Sequence, residues 1–273
     1  MAAALRMPTT SLLQPAQWQA LVVGAALAAA TMLVLWLRQL RTRDATAVDI
    51  AWAANLAGLA ILYAALSDAP AGRRWMVALC GGAWGLRLAW HLLRHRVGKG
   101  EDGRYATLRA SWGASADSKF LVFFLAQALL DALLSLPFLL AAFHADRAFH
   151  WTELLGAVVV LVAVVGESTA DAQLERFKRR PDARGRTCRA GLWRYSRHPN
   201  YFFEWSAWIG FALLATSAPL GWIAWFAPLL MLYLLFKVTG IPATEAQALR
   251  TRGDDYREYQ RTTSVFVPWF PRR

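Results

Sequence analysis

Cysteine is almost missing from this 273-residue chain, which holds only Cys80 and Cys188. The first lies inside an apolar stretch and the second in a polar connection, so neither their number nor their placement builds a disulfide framework or a thiolate metal site. Acid is scarce too, with 18 Asp and Glu against 30 Lys and Arg. No G-x-G-x-x-G follows a strand pattern and there is no Walker sequence, which excludes a Rossmann dinucleotide-binding domain and a P-loop. No internal repeat, low-complexity tract or linker divides the chain, so residues 1–273 read as one domain.

What the chain has in quantity is apolar surface. Hydrophobic residues make up 57% of it and tryptophan occurs 14 times, a composition suited to a bilayer. Apolar stretches near 19–37, 49–66, 76–93, 120–142, 152–170, 201–218 and 220–238 each have about the length needed to cross one. They predict an all-α bundle of seven transmembrane helices, because hydrocarbon leaves no water for an open strand to bond.

In a soluble protein the net charge of +12 would suggest nucleic acid, but its distribution argues for topology. Residues 38–43, 94–119, 176–197 and 250–273 hold 24 of the 30 basic residues, and all four segments fall on one side of a seven-span chain. The positive-inside rule then places the N-terminus outside and the C-terminus in the cytoplasm, with attraction to anionic membrane lipids as a secondary effect and no nucleic-acid partner. Arg6 ahead of the first span and RQLRTR directly after it predict a stop-transfer anchor rather than a signal peptide.

Polar residues inside the apolar stretches mark candidate chemistry. In VGESTADAQLERFKRR, Glu167 and Asp171 share one helix face; Asp171 reads either as a site residue or as an interfacial one. In GLWRYSRHPNYFFEWSAWIG, residues 191–210, Pro199 suits a first helical turn, Ser196 or His198 suits its cap, and Asn200, Glu204 and Trp208 recur on one face. The free amides of that helix start, with Arg194, Arg197 and His198, suit an anion such as phosphate, while Tyr195, Tyr201 and Trp205 also fit an aromatic belt. The connections KRRPDARGRTCRAG and LLRHRVGKGEDGRY would add further cations. Toward the N-terminus, Asp49 reads as a site residue or a helix cap, Arg87 and His91 lie four apart, as do Gln127 and Asp131, and His91 reads as a catalyst or a packing residue.

GLWRYSRHPNYFFEWSAWIG, GESTADAQLERFK and TGIPATEAQALRTRGDDYREYQRTTSVFVPWF together resemble the steroid 5-alpha-reductase superfamily, and especially its bacterial branch long described as a domain of unknown function. VDIAWAAN and WGLRLAWHLLRHRVGKGEDGRY resemble that branch as well. The R-H-P-x-Y helix start, followed by E-x-x-L-x-x-x-x-G-x-x-Y-x-x-Y, is also similar to isoprenylcysteine carboxyl methyltransferases.

The resemblance implies a monomeric protein of the bacterial inner membrane, with an apolar substrate half at 1–143 and an NADPH-binding half at 151–273. It would reduce a carbon–carbon double bond in a 3-oxo-4-ene steroid or related enone lipid. Carried over by position, Asp171, Lys178, Arg186, Tyr195, Asn200, Glu204 and Trp208 line the cofactor socket, joined by Arg197, His198, Tyr201 and Glu245. Lys178 stands where the steroid enzymes favour arginine. Asp49 falls near their second-helix glutamate; their third-helix tyrosine aligns with Trp84, which leaves His91 as the nearest proton donor. The alternative the resemblance allows is a lipid or isoprenylcysteine-type methyltransferase that uses S-adenosylmethionine.

Overall fold

The computed structural model describes residues 12–272 apart from 97, 99 and 239, so that Arg6, Lys99 and Arg273, counted above, lie outside the described residues. Every regular element among them is helical: α1 (Pro15–Thr42), α2 (Ala47–Leu66), α3 (Ala71–Arg96), α4 (Gly103–Trp112), α5 (Ala116–Leu134), α6 (Leu136–Ala142), α7 (Trp151–Lys178), α8 (Pro199–Ala215), α9 (Phe226–Tyr233), α10 (Ile241–Arg252) and α11 (Asp254–Thr262). Prolines sit in the first turn of α1, α6, α8 and α10, where a missing N–H costs nothing. α9 runs on into a π-helical turn, Leu234–Val238.

Six stretches are long and apolar enough to cross a membrane: α1, α2, α3, α4 through α6, α7, and Gly221–Arg252, which contains α9 and α10. The expected 201–218 stretch falls short, because Pro199 opens α8 and the helix closes at Ala215 after 17 residues, about 25 Å. The expected 120–142 stretch is broken at Ser135, since Pro137 has no N–H to continue the ladder through the junction of α5 and α6. The basic connection 94–119 is not all loop: α4 forms within it, capped by Asp102, whose carboxylate accepts from the Arg104 amide.

The outer faces of the long helices carry bare aliphatic residues, such as Val22, Leu27 and Val34 on α1 and Val158, Leu161 and Val165 on α7. Inside, aromatic edges meet: Trp84 lies 5.1 Å from Trp208 and 5.5 Å from Phe211, and Phe138 lies 4.8 Å from Phe211. α7 and α8 touch backbone to backbone where Gly156 faces Gly210; a Cβ on Gly156 would stand 2.7 Å from the Gly210 carbonyl oxygen and 2.8 Å from the Leu214 nitrogen. Gly156→Val is therefore expected to lower stability by about 1–3 kcal/mol or more, read as a lower melting temperature in detergent, because rigid backbone cannot yield.

The bundle has two chemically different ends. At one, Arg43 meets Asp117 at 2.9 Å, Arg109 meets Glu101 at 2.7 Å, Arg104 meets Asp49 at 2.6 Å and Arg189 meets Asp255 at 3.1 Å, so the basic connections gather there. At the other, Arg73 at the start of α3 meets Glu153 at the start of α7 at 2.6 Å, with both side chains almost wholly buried.

Candidate functional site

Three helix stripes face one another toward the basic end. α3 offers Trp84, Arg87 and His91, α7 offers Glu167, Asp171 and Glu175, and α8 offers Asn200, Glu204 and Trp208, each set at the three- or four-residue spacing of a single face. Arg87 joins the first two. Its guanidinium lies 2.5 Å from Glu167, bonds Asp171, and donates through Nε to the Ser168 hydroxyl at 3.1 Å. Asn200 donates from Nδ2 to Asp171 at 3.4 Å, which ties α8 to the same carboxylate.

Beyond Asp171 the seam continues toward the basic end. His91 Nδ1 lies 3.6 Å from Asp171, the His91 and His95 rings are 4.3 Å apart, and His95 Nε2 lies 3.5 Å from Glu175. Glu175 in turn accepts from Lys178 at 3.0 Å.

The balance of this cluster is incomplete. Glu204 has no hydrogen bond or ion pair among the described residues, although Glu167 and Asp171 are close enough to repel it. One oxygen of Glu167 and the indole N–H groups of Trp84 and Trp208 are buried without partners. Buried polar groups are normally satisfied, so Glu204 and the free oxygen of Glu167 leave the seam with spare acceptors, while the two indoles are enclosed by aromatic packing.

One turn further along α7, Leu174, Phe177 and Lys178 form a wall of a cavity of about 340 Å³ that is closed by Arg180, Arg184, Arg186 and Arg252. No carboxylate lines it, although Asp182 pairs with Arg180 at 3.1 Å and with Arg186 at 3.3 Å nearby. Five cations around one cavity suit a phosphate. Cys188 also borders it, and burial pushes its thiol up, away from a reactive thiolate.

The expected cofactor residues thus divide. Asp171, Asn200 and Glu204 meet in the seam, and Lys178 and Arg186 meet at the cavity. Arg197, His198 and Glu245 bind one another instead: Arg197 donates to Glu245 at 2.7 Å and to the carbonyls of Gln260 and Thr263, and His198 lies 3.3 Å from Glu245. This set clamps the start of α8 to α10 and α11 and leaves little of the guanidinium for an anion. His198 occupies the cap position of α8 without bonding a helix amide, while Ser196 donates to the Phe266 carbonyl. Tyr201 stacks on His198 at 5.3 Å and bonds Thr244 at 3.1 Å, and Tyr195 packs its edge against Phe270. Trp208 is wholly buried among Trp84, Phe138 and Phe211, as packing rather than lining. In α11, burial pushes the phenols of Tyr256 and Tyr259 up; Tyr259 donates to the Ser196 carbonyl at 3.0 Å, and Tyr256 donates to Glu245 at 3.3 Å.

Asp49, expected as a catalytic acid, stands in an ion-pair cluster outside the seam. It lies in the first turn of α2 behind the Thr46 cap position, accepts from Tyr105 at 2.5 Å and Arg104 at 2.6 Å, and pairs with Arg96. Two guanidiniums and a phenol thus occupy its oxygens. The same cluster takes up Arg96 and Arg104, two of the cations of LLRHRVGKGEDGRY. His91 remains in the seam. The residue that the spacing argument undervalued is Arg87: a lone arginine in an apolar helix already demands an acid, but its spacing to His91 does not say that the acids stand on α7.

No curated protein and no solved structure matches the chain. A family model described as a protein of unknown function, DUF1295, matches residues 35–263, which include every helix stripe of the seam and the cavity walls. The chain belongs to the DUF1295 family of proteins of unknown function.

Proposed function

We propose that the protein is an NADPH-dependent membrane reductase that saturates a carbon–carbon double bond in an apolar enone lipid such as a 3-oxo-4-ene steroid. The observation that carries this reading is the unpartnered Glu204 carboxylate on α8, which faces Asp171 of α7, with a cavity walled by five cations starting about one turn along α7 from Asp171. NADPH needs acceptors for its carboxamide and ribose and cations for its phosphates, and the donor set fits that division. Glu204, Asp171 and Asn200 would hold the amide and hydroxyl groups, and Lys178, Arg184, Arg186 and Arg252 the phosphates. The cofactor would supply a hydride. Arg87 fixes the two α7 acids, and His91, beside Asp171, is the group positioned to carry a proton to the substrate oxygen.

The same proposal includes a seventh crossing, with the N-terminus outside, the C-terminus cytoplasmic and the protein resident in a bacterial inner membrane. Its support is that α8 begins beside Glu245 at the basic end, while Ser217 just past its other end lies 3.4 Å from His144, next to the Arg73 pair. A short helix with its two ends fixed this way covers the same span as its longer neighbours.

Thermal shift on purified protein with NADPH, NADH and S-adenosylmethionine tests the reading. NADPH is expected to raise the melting temperature most, and a preference for S-adenosylmethionine would replace the reductase with a methyltransferase. Glu204→Gln should weaken NADPH binding about tenfold with the melting temperature of the free protein unchanged, since it weakens one charge-assisted hydrogen bond. Unaltered affinity would remove Glu204 from the socket.

A further inference from the structure

Beyond α11 the chain does not trail away. Arg197 N–H donates to the Ser264 carbonyl at 2.8 Å, Ser196 donates to the Phe266 carbonyl at 2.7 Å, Trp269 N–H donates to the Tyr195 carbonyl at 2.9 Å and Arg272 N–H donates to the Thr262 carbonyl at 2.8 Å. Residues 264–272 are thus pinned as a strap across the start of α8. Phe266 is buried against Phe202 and Trp205 of α8 and Phe236 of the π-helical turn, so the strap lies at the level where the last apolar stretch emerges at the basic end. In the seven-crossing arrangement proposed above, that level is the membrane boundary on this face.

Under the strap is a cavity of about 480 Å³, larger than the one between α7 and α10. Its polar wall includes Arg261 and Arg272, neither of which pairs with a carboxylate among the described residues, and no acid lines it. Its other wall is apolar: Val267, Trp269 and Phe270 line it and are 53%, 69% and 76% exposed. Water at a membrane boundary is a poor neighbour for three adjacent large apolar side chains, and Trp in particular concentrates at headgroup depth. Cations on one side and a greasy lip on the other match a single kind of molecule, one with a phosphate joined to an acyl chain.

We propose that this cavity is a binding site for an anionic phospholipid, with the phosphate between Arg261 and Arg272 and the first part of an acyl chain against Val267, Trp269 and Phe270. The site is separate from the seam and does not depend on the protein's being a reductase. Its role is to hold the strap, and through it the start of α8, against the bilayer.

The test is native mass spectrometry of the full chain purified in detergent and offered equal amounts of dioleoylphosphatidylglycerol and dioleoylphosphatidylcholine. The wild type is expected to retain phosphatidylglycerol preferentially, Arg261→Gln and Arg272→Gln each to lower that retention about fivefold, and the two together by about their product. Trp269→Ala keeps both arginines and should shorten lipid residence while leaving the preference for phosphatidylglycerol. Circular dichroism of each variant establishes that the helices are intact; if the double variant unfolds, Trp269→Ala and the single variants carry the test. Equal retention of the two lipids by the wild type, or undiminished retention by the folded arginine variants, overturns the proposal. So does displacement of phosphatidylglycerol by millimolar inorganic phosphate with the acyl chain irrelevant, which would make the cavity a free-phosphate site.

Discussion

Arg73→Met is expected to lower stability by about 3–5 kcal/mol, enough to move the melting temperature by about 6 °C or more and to reduce the yield of folded protein sharply. The reason is the burial and the number of groups that depend on this one side chain. Arg73 is 1% exposed and Glu153 is not exposed at all. The guanidinium donates to both oxygens of Glu153, at 2.6 and 3.0 Å, and also to the carbonyls of His144, Asp146 and Ala148. One arginine therefore satisfies the connection between α6 and α7 and ties it to the start of α3. Its removal strands the wholly buried Glu153 carboxylate without its main partner, which is far more costly than never having formed the pair. The double variant Arg73→Met/Glu153→Leu removes the stranded carboxylate and should recover part of the loss. Recovery stays incomplete, because three carbonyls and the His150 amide, which donates to Glu153 at 2.7 Å, are then unpaired. A single variant that melts within about 2 °C of the wild type would show that the pair does not hold this end together.

The second large effect is expected at Arg87. Without it, Glu167, Asp171 and Glu204 face one another in an apolar bundle with no guanidinium between them. Arg87→Met should cost about 3–5 kcal/mol in stability and, under the function proposed above, abolish NADPH binding, because α3 loses its grip on α7 and, through the Asp171–Asn200 bond, on α8. Glu167→Gln alone should be mild, since Arg87 keeps Asp171. Combined with Arg87→Met it should restore part of the stability and none of the binding. The discriminating measurement is melting temperature and NADPH affinity on the same preparations. Independent losses that simply add in the double variant would mean that Arg87 and Glu167 do not act on each other.

These two arginines also mark where the sequence is legible and where it is not. Apolar length and the grouping of basic residues suffice to read an all-helical membrane bundle and to find the connections that gather at one end. Stripes on single helices are equally plain, because spacing along one helix is fixed geometry: Glu167 with Asp171 and Asn200 with Glu204 share faces as the four-residue rule requires. Which stripe meets which is set by helix packing, and nothing local encodes it. Arg87 finds acids 80 and 84 positions away, and Arg197 finds Glu245 48 positions away. For that reason Arg197, His198 and Glu245 look like ligand-binding groups in the sequence and turn out to saturate each other. Asp49 looks like a lone acid and proves to be held by Arg96, Arg104 and Tyr105. Helix ends are read less well than helix faces, as the early stop of α8 and the break at Ser135 show.

The clamp at the start of α8 has a consequence for synthesis. Arg197 is made well before its partners, which are the Glu245 carboxylate, the Gln260 and Thr263 carbonyls, and the Ser264 carbonyl for its amide. While the ribosome is still translating α9, none of these partners has been made, so the guanidinium stays in water and holds the entry of α8 at the membrane surface. Only when residues 260–264 have emerged to meet Arg197, and Phe266 to meet Ser196, does that helix acquire its final seat.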